Sequence, residues 1–174
     1  LSSSSAASDV YKRQMMAAQI FGYVGQIDED DMERLKGEDG VSNVTQIGRA
    51  GLESYYDDVL RGKDGSRQVE VDASGSPVME VERKNPVQGH NIHLTLDLNL
   101  QTALEKAMDA QIAQGIGVSG IAAVAVDPNT GAVLAMASRP AYNPNWFTRG
   151  ITESEWKQIN GNPNHPMENR VIAG

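Results

Sequence analysis

Residues 121–138 constrain this chain more than any other stretch. Ile121–Val126 and Ala132–Ser138 are apolar runs rich in small residues, and Asp127-Pro128-Asn129-Thr130-Gly131 lies between them. Pro suits the second position of a turn, and Gly at its end takes positive φ without a Cβ clash. The pattern predicts a hairpin. Both runs are apolar on both faces, so the strands are expected to be central in a sheet, covered by helices on at least one side.

The preceding segment predicts what covers them. His90–Leu96 alternates, with Ile92, Leu94 and Leu96 on one side, and reads as a strand. Asp97 is a good N-cap for a helix running to about Gln114. Leu100, Leu104, Ala107, Met108 and Ile112 are expected to face inward, and Gly115 and Gly117 end the helix.

Further upstream the elements are shorter. Residues 17–25 are apolar and Gly-punctuated and suit a buried strand or loop. Asp28-Glu29-Asp30-Asp31 crowds acidic residues before Lys36-Gly37, the charge order a short helix prefers. Leu52, Tyr55, Tyr56, Val59 and Leu60 fall on one helical face, with the two tyrosines expected to pack inward and reach water by their hydroxyls. Arg67–Asp72 and Val78–Lys84 form a second hairpin around Ala73–Pro77, and Asn85-Pro86 breaks the chain. Downstream, Arg139–Asn145 is an ordered loop rich in Pro and Asn. A helix over Glu153–Ile159 starts at Thr152, with Glu155 completing a capping box. Residues 1–14 are Ser/Ala-biased and resemble the read-through of a sequencing adaptor, so they stand outside the functional argument.

Composition narrows the function classes. The 174 residues carry 15 Lys+Arg against 23 Asp+Glu, a net charge of −8, which argues against a nucleic-acid groove. There is no cysteine, hence no disulfide, zinc–thiolate site or thiol nucleophile. No run of about 18 apolar residues reads as a membrane span. With no initiator Met at Leu1 and a last segment that breaks off at Gly174, the chain reads as a fragment of something longer.

Few side chains offer chemistry. Ser154-Glu155-Trp156-Lys157 matches S-x-x-K, a spacing that sets hydroxyl and amine on one helical face. The capping box claims the same turn, however, and no S-x-N accompanies it. Lys63-Asp64-Gly65, the nearest approach to K-T-G, follows a helix instead of lying on a strand. The acidic run at Asp28 lacks the alternating ligands of a calcium loop. His90 and His93 would point to opposite faces of a strand, and His165 sits in a loop, so no metal set converges. Gly115–Gly120 has no phosphate-loop pattern and reads as a joint. The residues therefore nominate no catalytic, cofactor-binding or metal-binding side chain.

Several motifs in order do resemble a known family. Leu94-Thr95-Leu96-Asp97-Leu98-Asn99-Leu100-Gln101 resembles the LTLD-x-x-LQ of class B penicillin-binding proteins. Val126–Met136 and Ser138–Asn145 are similar to that family's opening transpeptidase strands. Gly48, Gly51, Leu52 and Glu53 resemble a G-x-x-G-[IL]-E motif of the pedestal, or dimerisation, domain, followed by Tyr55-Tyr56-Asp57 and Leu60-Arg61-Gly62. Pro166, Asn169, Arg170 and Gly174 resemble the P-x-x-NR-x-x-x-G found before the nucleophile. Trp156 matches a family Trp in a variable loop and helix, which sets Ser154 aside as a nucleophile. Gln19 departs from the pattern, standing where a His is common before Ile20-Phe21-Gly22-Tyr23-Val24-Gly25.

The resemblance implies an α+β chain: the end of a pedestal domain (15–89), then the first strands and helix of an incomplete transpeptidase domain (90–174), after an adaptor-like tail (1–14). It implies a parent D,D-transpeptidase that cross-links peptidoglycan stem peptides through a serine acyl-enzyme in cell-wall elongation and is acylated by β-lactams. The nucleophile's Y-x-P-G-S-T-x-K segment would begin after Gly174. Implied partners are a SEDS-type glycosyltransferase and rod-complex scaffold proteins, at the periplasmic face of the bacterial inner membrane. A non-catalytic pedestal module that binds membrane cell-wall synthases is the alternative.

Overall fold

The computed structural model describes residues 15–38, 40–43, 45–115 and 119–173. The adaptor-like stretch and residues 116–118 of the Gly115–Gly120 joint lie outside them. The elements are α1 (Ala18–Phe21), β1 (Val24–Gln26), α2 (Glu29–Arg34), β2 (Gln46–Gly48), α3 (Gly51–Tyr55), α4 (Asp57–Leu60), β3 (Ser66–Val71), β4 (Pro77–Lys84), α5 (Leu98–Ala113), β5 (Ile121–Val126), β6 (Val133–Arg139), α6 (Asn145–Thr148), α7 (Glu153–Asn160) and α8 (Arg170–Ala173). The fold is α+β. Its strands pair antiparallel as β1–β2, β3–β4 and β5–β6.

Local signals place most of these elements. Asp28 caps α2 in a reciprocal box with Asp31, so the acidic run is a helix start. Asp97 accepts from the Leu100 amide at the head of α5, and Thr152 and Glu155 cap α7 reciprocally. The two hairpins form with Ile121 opposite Arg139 and Ser66 opposite Lys84.

Four expectations need correction. Residues 17–25 hold a short helix followed by a strand. The helix expected through residues 51–61 breaks at Tyr56. There the Asp57 carboxylate accepts from the Gly48 amide at 2.8 Å and pairs with Arg61 at 3.2 Å, drawing the chain onto β2. Gly48 is required at this approach, since a Cβ would lie 1.9 Å from the Glu53 carbonyl oxygen. Tyr55 is consequently 80% exposed and packs edge-on against Tyr56 instead of entering a core.

The third correction concerns His90–Leu96, which forms no strand. The outer edge of β6 is satisfied by other means: the Thr95 hydroxyl donates to the Val133 carbonyl at 2.6 Å, and the Asp97 amide to Leu134 at 2.8 Å. Gln101 then bonds both backbone groups of Met136, donating at 2.8 Å and accepting at 2.9 Å. A side-chain amide thus does what a neighbouring strand would do. The fourth follows from it. The buried face of α5 is Gln101, Glu105 and Met108, while Leu100 is 39% exposed and Ala107 exposed.

Helix α5 covers β6, as expected of a strand apolar on both faces. The opposite side of β5 is open, with Ala122, Val124 and Val126 exposed, so among the described residues the hairpin is a two-stranded sheet without a central strand. The core sits where the N-terminal segment meets the chain after β6. Ala18, Tyr142 and Ile159 are buried there, with Tyr23, Trp146, Phe147 and Ile151 around them. Tyr23 stacks on Phe147 at 3.8 Å, and Tyr142 stands edge-on to both rings.

Candidate functional site

The S-x-x-K turn lies in the capped first turn of α7. Ser154 and Lys157 are both exposed on α7. The Ser154 hydroxyl lies 3.2 Å from that of Thr152, and the Lys157 ammonium is paired with Glu153 at 2.6 Å. Glu155 is committed to the cap. The Thr152 backbone amide holds its carboxyl below the usual range, helped by the Thr152 hydroxyl and Arg149.

The other candidates disperse. His90, His93 and His165 are exposed. Asp64, from the K-T-G-like triplet, accepts from the hydroxyls of Thr45 (2.5 Å) and Ser42 (2.9 Å), a loop clip. Asp28 and Asp31 are bound to Arg49 at 3.0 and 2.7 Å. Among the described residues no group of three or more His, Asp and Glu is placed to hold a metal. An open depression of 340 Å³ is lined in part by Met15, Tyr142, Trp146, Gln158, Ile159 and Pro166. Tyr142 is its titratable group, and that hydroxyl already donates to the Ala18 carbonyl at 3.1 Å. Burial, and Tyr23 to a smaller degree, push its pKa well up, so it stays protonated.

What the fold does bring together is a buried polar junction that sequence reasoning missed. The Glu105 carboxylate accepts from the Ala17 amide at 2.7 Å, from Gln101 at 2.6 Å and from Arg139 at 2.9 Å. Arg139 also reaches Asp109 at 2.6 Å. Burial works against the Arg139 charge, but bonds to Asp109 and Glu105 outweigh it and raise the pKa. The donors converge because Gln101 and Glu105 share the buried face of α5 and Arg139 ends β6. Ala17 arrives from the N-terminal segment in a left-handed conformation, φ 49°. Two residues further on, Gln19 donates to the carbonyls of Pro140 (3.1 Å) and Pro166 (2.9 Å). In the sequence Arg139 reads as part of a loop, and neither Glu105 nor its link to Ala17 stands out, because the partners of Glu105 lie 34 and 88 residues away in the chain. This arrangement can lock two parts of a chain together, with both of its carboxylates engaged by Arg139 and Glu105 also by Gln101 and the Ala17 amide.

Comparison with known proteins gives the junction its context. The model of the penicillin-binding protein dimerisation domain matches residues 6–94, and that of the penicillin-binding protein transpeptidase domain matches residues 121–174. The chain is 38% identical over 158 residues to the peptidoglycan D,D-transpeptidase MrdA of Escherichia coli K12, covering 89% of this chain and 24% of that protein. It thus spans about a quarter of the length of this curated relative. A solved complex of penicillin-binding protein PBP2 with MreC from Helicobacter pylori superposes with TM-score 0.70 at 26% identity, covering 92% of this chain and 28% of the other. A structure described as the structural coordination of polymerization and crosslinking by a peptidoglycan synthase complex gives TM-score 0.72 at 36% identity, covering 90% and 28%. The buried junction therefore joins residues matched to the dimerisation domain (Ala17, Gln19) to residues matched to the transpeptidase domain (Arg139, Pro140, Tyr142, Pro166), with Glu105 between the two matches.

Proposed function

Because the chain belongs to the penicillin-binding protein family, we propose that it is the end of the pedestal (15–89) and the start of the catalytic domain (90–174) of an elongation-type peptidoglycan D,D-transpeptidase, lying before the catalytic serine. The observation that carries this reading is the order of the two matches, dimerisation then transpeptidase, in a chain whose one S-x-x-K turn is spent on a helix cap.

In the parent enzyme the attacking hydroxyl belongs to a serine beyond Gly174. It adds to the penultimate D-Ala carbonyl of a stem peptide, a lysine one turn away moves the proton, and terminal D-Ala leaves. Backbone donors stabilise the tetrahedral oxyanion. An acceptor amine then resolves the acyl-enzyme. A β-lactam enters the same first step. The residues present here buttress that centre: β5–β6 and α5 form the beginning of its sheet and the cover of one side. No metal or cofactor is called for.

The parent acts at the periplasmic face of the inner membrane. No helix among the described residues is long and apolar enough to cross a membrane. A SEDS-type glycosyltransferase and rod-complex scaffold proteins are its partners, in keeping with the MreC complex of the similar Helicobacter protein. That complex also supports a second reading, in which the pedestal portion acts as a binding module without chemistry. Retention of such partners by this chain would favour it.

Reading the source DNA past the codon for Gly174 tests the first reading. A serine followed three residues later by a lysine within roughly ten codons, one to three helical turns, is expected. A stop codon, or a sequence without that pair, refutes it.

A further inference from the structure

We infer that Gln19 is a positioning residue for the acylation step: its side-chain amide fixes the segment that leads to the nucleophile. This rests on the reading above, which puts the attacking serine just beyond residue 174.

A primary amide has two N–H groups, and Gln19 spends both on carbonyls 121 and 147 residues away, those of Pro140 and Pro166. The backbone on either side of it is fixed in turn: the Ala17 amide is held by Glu105, and the Ala18 carbonyl by the Tyr142 hydroxyl. Gln19 is therefore pre-oriented before it reaches its acceptors. Pro166 is buried, so water is poorly placed to replace the lost donor.

Beyond Pro166 the chain runs directly into α8. Among the described residues, two side chains from outside residues 162–173 hydrogen-bond to this segment. One is Gln19. The other is Ser138, whose hydroxyl donates to the Glu168 carbonyl at 3.1 Å and accepts from the Arg170 amide at 3.3 Å. The remaining side-chain bonds are internal: the Arg170 guanidinium on the carbonyls of Asn164 and His165, Asn162 on the Asn164 amide, and Asn169 on the Val171 amide. Internal bonds keep the segment's shape but do not place it. Ser138 ties it to β6, and Gln19 ties it to the pedestal side. Loss of Gln19 leaves Ser138, among the described residues, as the one side chain from outside the segment that hydrogen-bonds to it; α8 still packs on β5 and β6, but the Pro166 end and the nucleophile after the helix are left out of line.

The test uses the full-length protein that contains this chain and a fluorescent penicillin. In the step measured, the serine oxygen bonds to the lactam carbonyl carbon, the ring C–N bond breaks, and the serine proton ends on the ring nitrogen. Gln19→Met keeps the volume and removes both donors; Gln19→Glu keeps the shape and turns a carboxylate toward two carbonyls. Both are expected to lower the first-order acylation constant about tenfold, the scale of a small misplacement of reacting groups, with the noncovalent dissociation constant changed less than about twofold. Amide exchange over residues 165–171 should accelerate in both variants while that of β3–β4 stays unchanged. Wild-type acylation in Gln19→Met overturns the inference, as does a rate loss without faster exchange at 165–171. Failure of the unsubstituted protein to label overturns the functional reading and this inference with it.

Discussion

Replacing Glu105 by Ala should open the junction, and the geometry sets the size of the effect. The carboxylate is 8% exposed and its partner Arg139 9% exposed. Breaking a buried pair by removing one member costs about 3–5 kcal/mol. Two features put this case at the lower end. Arg139 keeps Asp109, whose half-exposed carboxylate remains within 2.6 Å, and Gln101 keeps the Met136 carbonyl. The Ala17 amide, by contrast, loses its acceptor in a site 2% exposed, a penalty of about 1–3 kcal/mol by itself. A net loss of about 3 kcal/mol is expected, or roughly a hundredfold faster exchange of the Ala17 amide. Hydrogen exchange followed by NMR reads that amide directly. Glu105→Gln, which retains an acceptor but not the charge, should lie between, at about tenfold. A change below about threefold at Ala17 in Glu105→Ala would mean that the carboxylate does not hold the N-terminal segment.

Three further outcomes are expected. The Asp127 carboxyl is held below its ordinary 3.8 by the Asn129 amide and then the Thr130 hydroxyl; the stability it gives the 127–131 turn is complete above that value and lost as pH falls through the lowered one. Exchange of the Asn129 amide should therefore show a pH-dependent loss of protection below about pH 4 that Asp127→Ala abolishes, and an identical profile in the variant would contradict this. His165 is exposed with φ 36°, so His165→Gly should stabilise by about 0.5–1 kcal/mol in thermal unfolding, and a lower melting temperature would count against the strain. Val124 and Val126, 47% and 48% exposed, leave one side of β5 bare. The isolated chain should self-associate in light scattering, and Val124→Lys should reduce this; a monodisperse monomer with a cooperative, high-temperature melt would refute it.

What the sequence disclosed depended on the range of the interaction concerned. Caps and turns are settled within four or five residues, so Asp28, Asp97, Thr152 and the Asp127–Gly131 turn were legible. Long-range hydrogen bonding was not. Nothing in the alternation of His90–Leu96 indicated that β6 would take its edge partners from Thr95, Asp97 and Gln101 instead of from a strand. Nor did apolar periodicity in α5 disclose that its buried face would be Gln101 and Glu105, because their partners lie 34 to 88 residues away. The split at Tyr56 has the same origin, a carboxylate recruited by β2. The order of family motifs was legible all the same, and the two domain matches agree with it.

Covalent labelling by a fluorescent penicillin, read by intact mass, is the most direct test that this chain carries the support of a transpeptidase and not its nucleophile. The 174-residue chain should gain no mass, while a protein continued through the whole transpeptidase domain should gain one adduct on a serine past residue 174. An adduct on the short chain, lost in Ser154→Ala, would contradict the account.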